Sequence, residues 1–389
     1  MIVKEIKKNV YGIMVNDWDR RLFDELIPLP DGTTYNAYFI KDKKNVLIDT
    51  ADPRKTEKFM GIIKEISGGK IDYIISHHAE QDHSGSIPAV LSAFPAAKII
   101  TGEKGAVLLN KLLLTAEDRV LTIKYEDEIN IGERTLKFYS TPWVHWPETI
   151  ITYSPQDRVL FTCDLFGTHL ATSNFYSSDY KVYSAAKRYY AEIMMPFRNH
   201  IRKHLDLIEG LDIEIIAPSH GLAHSNPEFI INAYRDWTAD NVKNEVVVPY
   251  VSMHGSIDRM VDYFTDALIK REIAVKPFNL TVTDTGELAM ALVDAATLVL
   301  GTPAVLGGPH PSALYATYLF KILRPKTRFA SVIGSFGWGS NMLKIITDML
   351  PSEIGIIEPV IVNGYPRQED FNSLEKLADN ILNKHRELK

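Results

Sequence analysis

Two domains of different construction are predicted for this chain. Residues 1–245 are expected to form an α+β sandwich of two helix-covered sheets, and residues 246–389 an open, doubly wound parallel α/β sheet. Three observations predict this. At 389 residues the chain exceeds one ordinary hydrophobic core. Strand-like runs dominate the first stretch and switch between alternating and continuous apolar patterns, as sheets covered by helices require. After about residue 245 the order becomes strictly strand then helix, five times.

The first domain reads as NVYGIMV, TYNAYFI, KNVLIDT, IDYIIS, AKIITG and TLKFYS, each a short β-rich run. TIITYSPQDRVLFTC follows as a hairpin turned at Ser154-Pro155-Gln156-Asp157. Helical stretches such as KTEKFMGIIKEI and SAAKRYYAEIMM intervene, and the boundary falls in WTADNVKNE, after a helix that begins near Pro227. The second domain reads as the strands EVVVPYV, AVKPFNL, ATLVLG, RFASVIG and GIIEPVIV. Between them lie amphipathic stretches such as IDRMVDYFTDALIKR and PSALYATYLFKIL, and SLEKLADNILNKHRELK closes the chain as one more. In such sheets ligands sit at the carboxyl ends of the strands.

The composition is that of a soluble globular protein, 46% hydrophobic and 24% charged. A formal net charge of −6 argues against nucleic acid or an acidic membrane as the main partner. The single cysteine, Cys163, excludes an intrachain disulfide framework and suits a reducing cytoplasm. No signal peptide and no long uninterrupted apolar stretch is seen, so a soluble cytoplasmic protein is expected.

The densest chemistry lies in SHHAEQDHSGS, directly after the apolar run IDYIIS. His78, Glu80, Asp82 and His83 are four ligand-competent side chains in six positions, and Gly85 and Pro88 mark the turn into a helix. Burying so many ionisable groups unpaired costs several kcal/mol or more, on the order of the desolvation of an ion. A bound metal removes that cost. Three isolated candidates follow, each after a strand: His145 in STPWVHWPET, Asp164 in LFTCDLFG and His220 in EIIAPSHG. Taken singly, His145 or His220 is more often a satisfied buried histidine than a ligand. Together, four histidines and three carboxylates suffice for two metals with open positions. His169, five residues beyond Asp164, is expected to support a ligand from outside. His77 and His224 remain open between such a role and the surface, and Cys163 reads as a small strand residue.

In the second half, Ser252-Met253-His254-Gly255-Ser256-Ile257 joins the first strand to a helix. Backbone N–H groups at such a turn bind a phosphate without a lysine. A capped turn with no ligand reads equally well, and the loop lacks the Gly-Lys-Ser/Thr of a triphosphate site. Gly301-Thr302-Pro303-Ala304 and Gly334-Ser335-Phe336-Gly337-Trp338-Gly339 end the third and fourth strands. Glycines there admit a planar ring that Phe336 or Trp338 flanks. Three such loops at one sheet edge favour a flavin over tight turns with core aromatics.

The strand-end cluster with its later histidine, aspartate and histidine resembles the metallo-β-lactamase fold, an αββα sandwich. Most hydrolases of that fold carry H-x-H-x-D-H and bind zinc; here Glu80 takes the place of the second histidine. H-x-E-x-D-H, then His-Trp-Pro, Asp-x-Phe-Gly-x-His and Pro-Ser-His-Gly, resembles the flavodiiron proteins, and the second half resembles flavodoxin. The resemblance covers essentially the whole chain. It implies FMN and two iron ions. His78, Glu80 and His145 would hold one iron, Asp82, His83 and His220 the other, with Asp164 bridging. It further implies an oxidoreductase in which an external donor reduces FMN and FMN the irons, so that dioxygen is reduced to water. Nitric oxide reduction to nitrous oxide at the same site is the alternative. The donor is expected to be rubredoxin or a reduced deazaflavin coenzyme, since neither a Cys-x-x-Cys rubredoxin module nor a nicotinamide dinucleotide motif is present. A head-to-tail homodimer, or a dimer of dimers, is expected from the family.

Departures fall in the flavin half. The phosphate loop ends Ser-Ile where the family usually has Ser-Thr, His254 replaces a common aromatic, and Ala-Val-Leu-Gly-Gly replaces T-x-N-N. Two rival readings stand beside this one. A zinc hydrolase with a fused flavodoxin domain would use metal-bound hydroxide, and Glu80 argues against it. A flavin electron carrier with a vestigial metal site is disfavoured because all seven candidate ligands are present.

Overall fold

A computed structural model describes residues 1–124, 126–176 and 180–388. The chain forms two compact units, Met1–Tyr190 with Phe197–Thr238, and Ala191–Pro196 with Ala239–Lys389.

In the first unit the strands run β1 (Ile2–Lys7), β2 (Val10–Asp17), the small hairpin β3 (Leu22–Phe23) and β4 (Ile27–Pro28), β5 (Thr33–Ile40) and β6 (Val46–Ile48). They continue with β7 (Tyr73–Ile75), β8 (Lys98–Gly102), β9 (Val120–Ile123), β10 (Glu128–Asn130), β11 (Thr135–Ser140), β12 (Ile150–Ser154), β13 (Val159–Cys163) and β14 (Ile215–Pro218). The helices are α1 (Thr56–Ile66), α2 (Gln81–Ser84), α3 (Ile87–Ala93), α4 (Glu103–Leu113), α5 (Tyr180–Tyr189), α6 (Arg198–Glu209) and α7 (Pro227–Thr238). One sheet has the order β1-β2-β5-β6-β7-β8-β9 and the other β10-β11-β12-β13-β14.

Side-chain alternation explains why the inner strands read as continuous apolar runs. Along β5, Tyr38 and Ile40 point into the core between the sheets, while Tyr35, Ala37 and Phe39 join the core beneath the outer helices. Val46 and Ile48 of β6 face inward and Leu47 outward; Ile75 and Ile74 of β7, and Ile100 and Ile99 of β8, repeat the division. The helix α1 closes the outer core with Phe59 and Ile63, one turn apart. The result is the expected sandwich. Its hairpin β12–β13 is antiparallel and turns over residues 155–158.

The second unit contains β15 (Lys243–Tyr250), β16 (Ala274–Asn279), β17 (Ala295–Val305), β18 (Gly308–Pro309), β19 (Phe329–Phe336), β20 (Gly355–Ile356) and β21 (Val360–Asn363). Its helices are α8 (Ser256–Ile269), α9 (Thr285–Leu292), α10 (Pro311–Leu323), α11 (Met342–Met349) and α12 (Gln368–Arg386). The parallel order β16-β15-β17-β19-β20 places the second strand outside the first, the flavodoxin-like arrangement. α8 and α12 pack on one face and α9, α10 and α11 on the other, so the sheet is doubly wound. Lys389, the last residue of the closing amphipathic stretch, lies outside the described residues.

Three expectations are corrected. GIIEPVIV is two short strands, because Pro359 between them has no N–H to offer a ladder. Gly301–Ala304 is not a loop. β17 stays paired with β19 through Pro303↔Ser335 and then turns back on β18 through Ala304↔Pro309 and Val305↔Gly308. The turn residues Leu306 and Gly307 both have positive φ, 52° and 81°, as a two-residue hairpin requires. Finally, β19 runs on through Phe336, so the loop expected at Gly334–Gly339 begins only at Gly337.

Candidate metal and flavin sites

The candidate ligands sit where strands of the two sheets stop. After β7 the chain carries His78 and Glu80 into the single turn α2, which presents Asp82 and His83. A Cβ at Gly85 would collide with Gln81 O and the Pro53 ring, so glycine alone lets this turn close against the segment after β6. In the second sheet, His145 lies in the turn between β11 and β12, Asp164 directly after β13, and His220 after β14. Gly221, with φ of 74°, lets that last segment pass under Thr168; a Cβ there would strike Thr168 Oγ1.

The seven side chains converge in two groups. His78, Glu80, His145 and Asp164 form one; Asp82, His83 and His220 form the other, with all donor atoms of a group within 4.8 Å of one another. Glu80 Oε2 lies 3.0 Å from His78 Nε2 and 3.2 Å from His145 Nε2. Asp82 Oδ2 lies 3.0 Å from His220 Nε2. Asp164 faces both groups. Its Oδ1 lies 3.0 Å from His83 Nε2 and 3.5 Å from His220 Nε2, while its Oδ2 lies 3.6 Å from His145 Nε2 and 3.8 Å from His78 Nε2. One carboxylate thus offers an oxygen to each group.

Three observations fit a metal pair. Asp82 Oδ1, Asp82 Oδ2 and His83 Nε2 are buried and, although they lie close to other members of the cluster, make no well-directed hydrogen bond, which a native interior does not normally tolerate. The histidines meet the carboxylates through Nε2 and, in two cases, use Nδ1 to brace themselves. His78 Nδ1 donates to Glu148 Oε1 at 2.7 Å and His220 Nδ1 to the Thr34 carbonyl at 2.6 Å, so each Nε2 is turned toward the carboxylates, where its lone pair could serve a metal. The electrostatics agree. Burial depresses the His83 imidazole, but the Asp164 and Asp82 carboxylates outweigh it and push it up to about 10. Burial would raise Asp164, yet His83, His145 and His78 hold it well below the carboxylate range. Without metal, protons serve as the cations of this cluster, and a metal that binds must displace them.

Several supporting residues escaped the sequence reading. Glu148 is buried, and besides His78 its Oε1 accepts from Ala79 N at 3.0 Å. Its position three residues beyond His145, in His-Trp-Pro-Glu, was the available signal. Tyr189, at the end of α5, donates to Asp164 Oδ1 at 2.9 Å; nothing in the sequence pointed to it. His169 pairs through Nδ1 with Thr33 Oγ1 at 2.8 Å, and its ring centroid lies 4.8 Å from that of His220. It touches the cluster by packing, not by a hydrogen bond to a ligand. His224 is wholly buried away from the ligands, with Nε2 donating to the Phe166 carbonyl at 3.0 Å. His77 is likewise buried, between Asp49 and Thr152. Cys163 is a buried strand end. A cavity of about 350 Å³ leads to Glu80 and Asp82 past Arg20, Phe23, Asp24 and Trp146.

In the second unit the candidate flavin residues meet at the carboxyl ends of β15, β17 and β19. Gly255, with φ of 84°, caps α8 without a side chain, and Ser252 Oγ instead accepts from Asp258 N at 3.2 Å. The first turn of α8, with Ser256 and Ile257, therefore presents backbone N–H groups suited to a phosphate. Met253 is exposed, and His254 stands beside it in the same loop. Thr302 is buried; its Oγ1 accepts from His310 N at 3.0 Å, and Pro303 and Ala304 follow in the extended strand. Ser335 Oγ donates to the Gly364 carbonyl at 2.8 Å, tying the end of β19 to the segment after β21. Phe336 is half-buried, Trp338 is 83% exposed, and a Cβ at Gly337 or Gly339 would meet nothing within 4 Å. An open face with a free aromatic fits a planar ligand.

Comparison with known proteins agrees with these sites. Residues 33–221 match the model of a family described as ODP family beta lactamase. The chain is 32% identical to a nitric oxide reductase of Moorella thermoacetica, over 97% of each chain. Its structure matches rubredoxin oxygen:oxidoreductase from Desulfovibrio gigas with a TM-score of 0.96 at 27% identity, covering 100% of this chain and 99% of that one. It matches the flavodiiron protein from Giardia intestinalis with a TM-score of 0.89 at 25% identity, covering 99% and 98%. With a relative this similar over nearly its whole length, and with two donor groups sharing one carboxylate, the chain belongs to the flavodiiron protein family.

Proposed function

We propose that this chain is a flavodiiron oxidoreductase that takes electrons from a separate donor and reduces dioxygen to water. Nitric oxide is the second substrate to consider, favoured by the name of the Moorella thermoacetica relative. The observation that carries the reading is the pair of donor groups spanned by Asp164, with Glu80 supplying an oxygen donor to one of them. Oxygen donors favour redox iron over a hydrolytic zinc pair.

His78, Glu80 and His145 would hold one iron, Asp82, His83 and His220 the other, and Asp164 would bridge. FMN would be held by Ser252, Met253, His254, Gly255, Ser256 and Ile257 at its phosphate, and by Thr302, Pro303, Ala304, Ser335, Phe336, Gly337, Trp338 and Gly339 around its ring. Bound together, FMN and the irons supply the four electrons that convert dioxygen and four protons into two waters. The chain's own residues do the rest. Glu148 and the Thr34 carbonyl orient His78 and His220 so that Nε2 faces the metal. Tyr189 steadies Asp164 and carries an O–H within reach of the cluster. Phe23, its ring centroid 5.0 Å from that of His169 and tilted 40° to it, walls off part of the approach, and the cavity beside it admits a diatomic gas.

We assign the metal site to residues 1–245 and the flavin site to 246–389. The donor is rubredoxin or a reduced deazaflavin coenzyme. A head-to-tail homodimer is supported by apolar side chains left bare at the flavin edge, Leu306, Trp338 and Tyr365. Among the described residues no helix is long and apolar enough to cross a membrane, and we place the protein in the cytoplasm. The test is anaerobic reduction of purified protein with each donor, then separate addition of the two gases with their consumption recorded. Faster dioxygen consumption with iron and flavin bound supports the reading. A colourless protein that holds zinc and consumes neither gas overturns it.

A further inference from the structure

Beneath the candidate ligands lies a polar contact that the metal assignments leave unused. His77 is 1% exposed, and both ring nitrogens are engaged, Nδ1 at 2.8 Å from Asp49 Oδ2 and Nε2 at 2.7 Å from Thr152 Oγ1. Its backbone N–H donates to Asp49 Oδ1 at 2.9 Å. Asp49 and His77 follow neighbouring strands of one sheet, β6 and β7, while Thr152 lies on β12 of the other. Ser219, just after β14 of that second sheet, donates to Asp49 Oδ2 at 3.1 Å. The group spans the gap between the sheets, directly before His78 in one and His220 in the other.

Deeper in the same gap the facing side chains are apolar, such as Ile48 and Ile75 with Ile150 and Phe161. Apolar contacts tolerate sliding; a hydrogen bond fixes length and direction within narrow limits. That difference matters here because each donor group draws on both sheets. His78 and Glu80 come from the first sheet, and His145 and Asp164 from the second. Asp82 and His83 are met likewise by His220. The width of the gap therefore enters the fit of both metals, whose ligand distances are held to roughly ±0.2 Å.

We propose that His77, braced between Asp49 and Thr152, is a positioning residue that sets the separation of the two sheets at their ligand-bearing edge. It is not itself a ligand. Asp49, His77 and Cys163 do bring donor atoms within 4.8 Å, but both nitrogens of His77 are already bonded. The inference rests on the diiron reading and on neither gas nor donor.

Three full-length variants test it. Thr152→Val removes the hydroxyl at nearly constant shape, Thr152→Ser keeps it, and His77→Asn retains a donor toward Asp49 but falls short of Thr152. Apoproteins are titrated anaerobically with ferrous ion against a chelator, and the half-reduced centre is recorded by electron paramagnetic resonance. Thr152→Val and His77→Asn are expected to weaken both irons together by about tenfold or more, as loss of outer support does, and to shift the resonance positions. Thr152→Ser is expected to match the parent in both. If Thr152→Val fails to fold, His77→Asn against the parent carries the same comparison. A lowered melting temperature with unchanged affinity and spectrum, or weakening of one iron alone, overturns the proposal. A parent protein that binds no iron pair overturns the diiron reading instead.

Discussion

Replacing Glu148 is expected to uncouple the two irons in affinity. Its carboxylate is buried, accepts from His78 Nδ1 at 2.7 Å and from Ala79 N at 3.0 Å, and forms neither a hydrogen bond nor an ion pair with Asp82, His83 or His220. The bond to His78 is charge-assisted, and such bonds contribute roughly 1.5–3 kcal/mol. Each factor of ten in affinity corresponds to about 1.4 kcal/mol. Glu148→Ala therefore weakens the iron held by His78 about 10- to 100-fold, in line with other outer partners of metal-bound histidines. Glu148→Gln keeps an acceptor for both donors and loses only the charge, so its effect stays below about tenfold, since charged bonds are roughly twice as strong as neutral ones. The assay is anaerobic iron titration against a competing chelator, with circular dichroism to establish that the variants fold. Parent protein takes up two irons in one steep phase, and Glu148→Ala takes up one tightly and one weakly. Two equally tight irons in Glu148→Ala would refute the reasoning, because His78 would then need no fixed tautomer.

Other outcomes follow from the same geometry. Glu80→His restores the H-x-H-x-D-H pattern and is expected to raise zinc and lower iron in the isolated protein, read by elemental analysis; unchanged iron content would contradict the role given to its oxygen. Gly255→Val forces a β-branched residue to a φ of 84° at the mouth of α8, a penalty of at least about 1–2 kcal/mol. Flavin absorbance per chain should fall, and full occupancy would remove this turn from the flavin site. His224 is wholly buried, and burial pulls its imidazole down to about 4, below the unfolded value near 6.5. The unfolded chain therefore takes up this proton first, so stability is intact above pH 6.5 and falls by up to about 3 kcal/mol as pH drops toward 4. Denaturant titrations at pH 7 and pH 4.5 should show the loss, and His224→Gln should flatten the difference.

The candidate ligands were legible because chemistry crowds them into few positions: four in His78–His83, and three more each placed after a strand-like run. The strict strand–helix order of the second unit was equally plain. What the sequence hid depends on distant contacts. Tyr189 bonds Asp164 across 25 positions, and Thr33 reaches His169 across 136, so no local pattern marks them. The strand β1 was hidden by its own charges: at the edge of the sheet Val3, Lys4 and Glu5 are all exposed, and only Ile6 is buried. The hairpin at Leu306-Gly307 was read as loop because it lacks the Asn-Gly or Asp-Gly pair that usually signals such a turn.

The parallel pairing of β13 with β14 has a consequence for when the centre is filled. Parallel neighbours cannot be joined by a tight turn, and here the connection runs through α5 and α6. His220 therefore reaches the other six donors only after the most distant strand pairing of its sheet has formed. On the ribosome, the segment bearing His78, Glu80, Asp82 and His83 emerges long before it. On the diiron reading, iron would find all seven donors together only in a chain that has already chosen its topology, where it would act as a lock on a finished architecture.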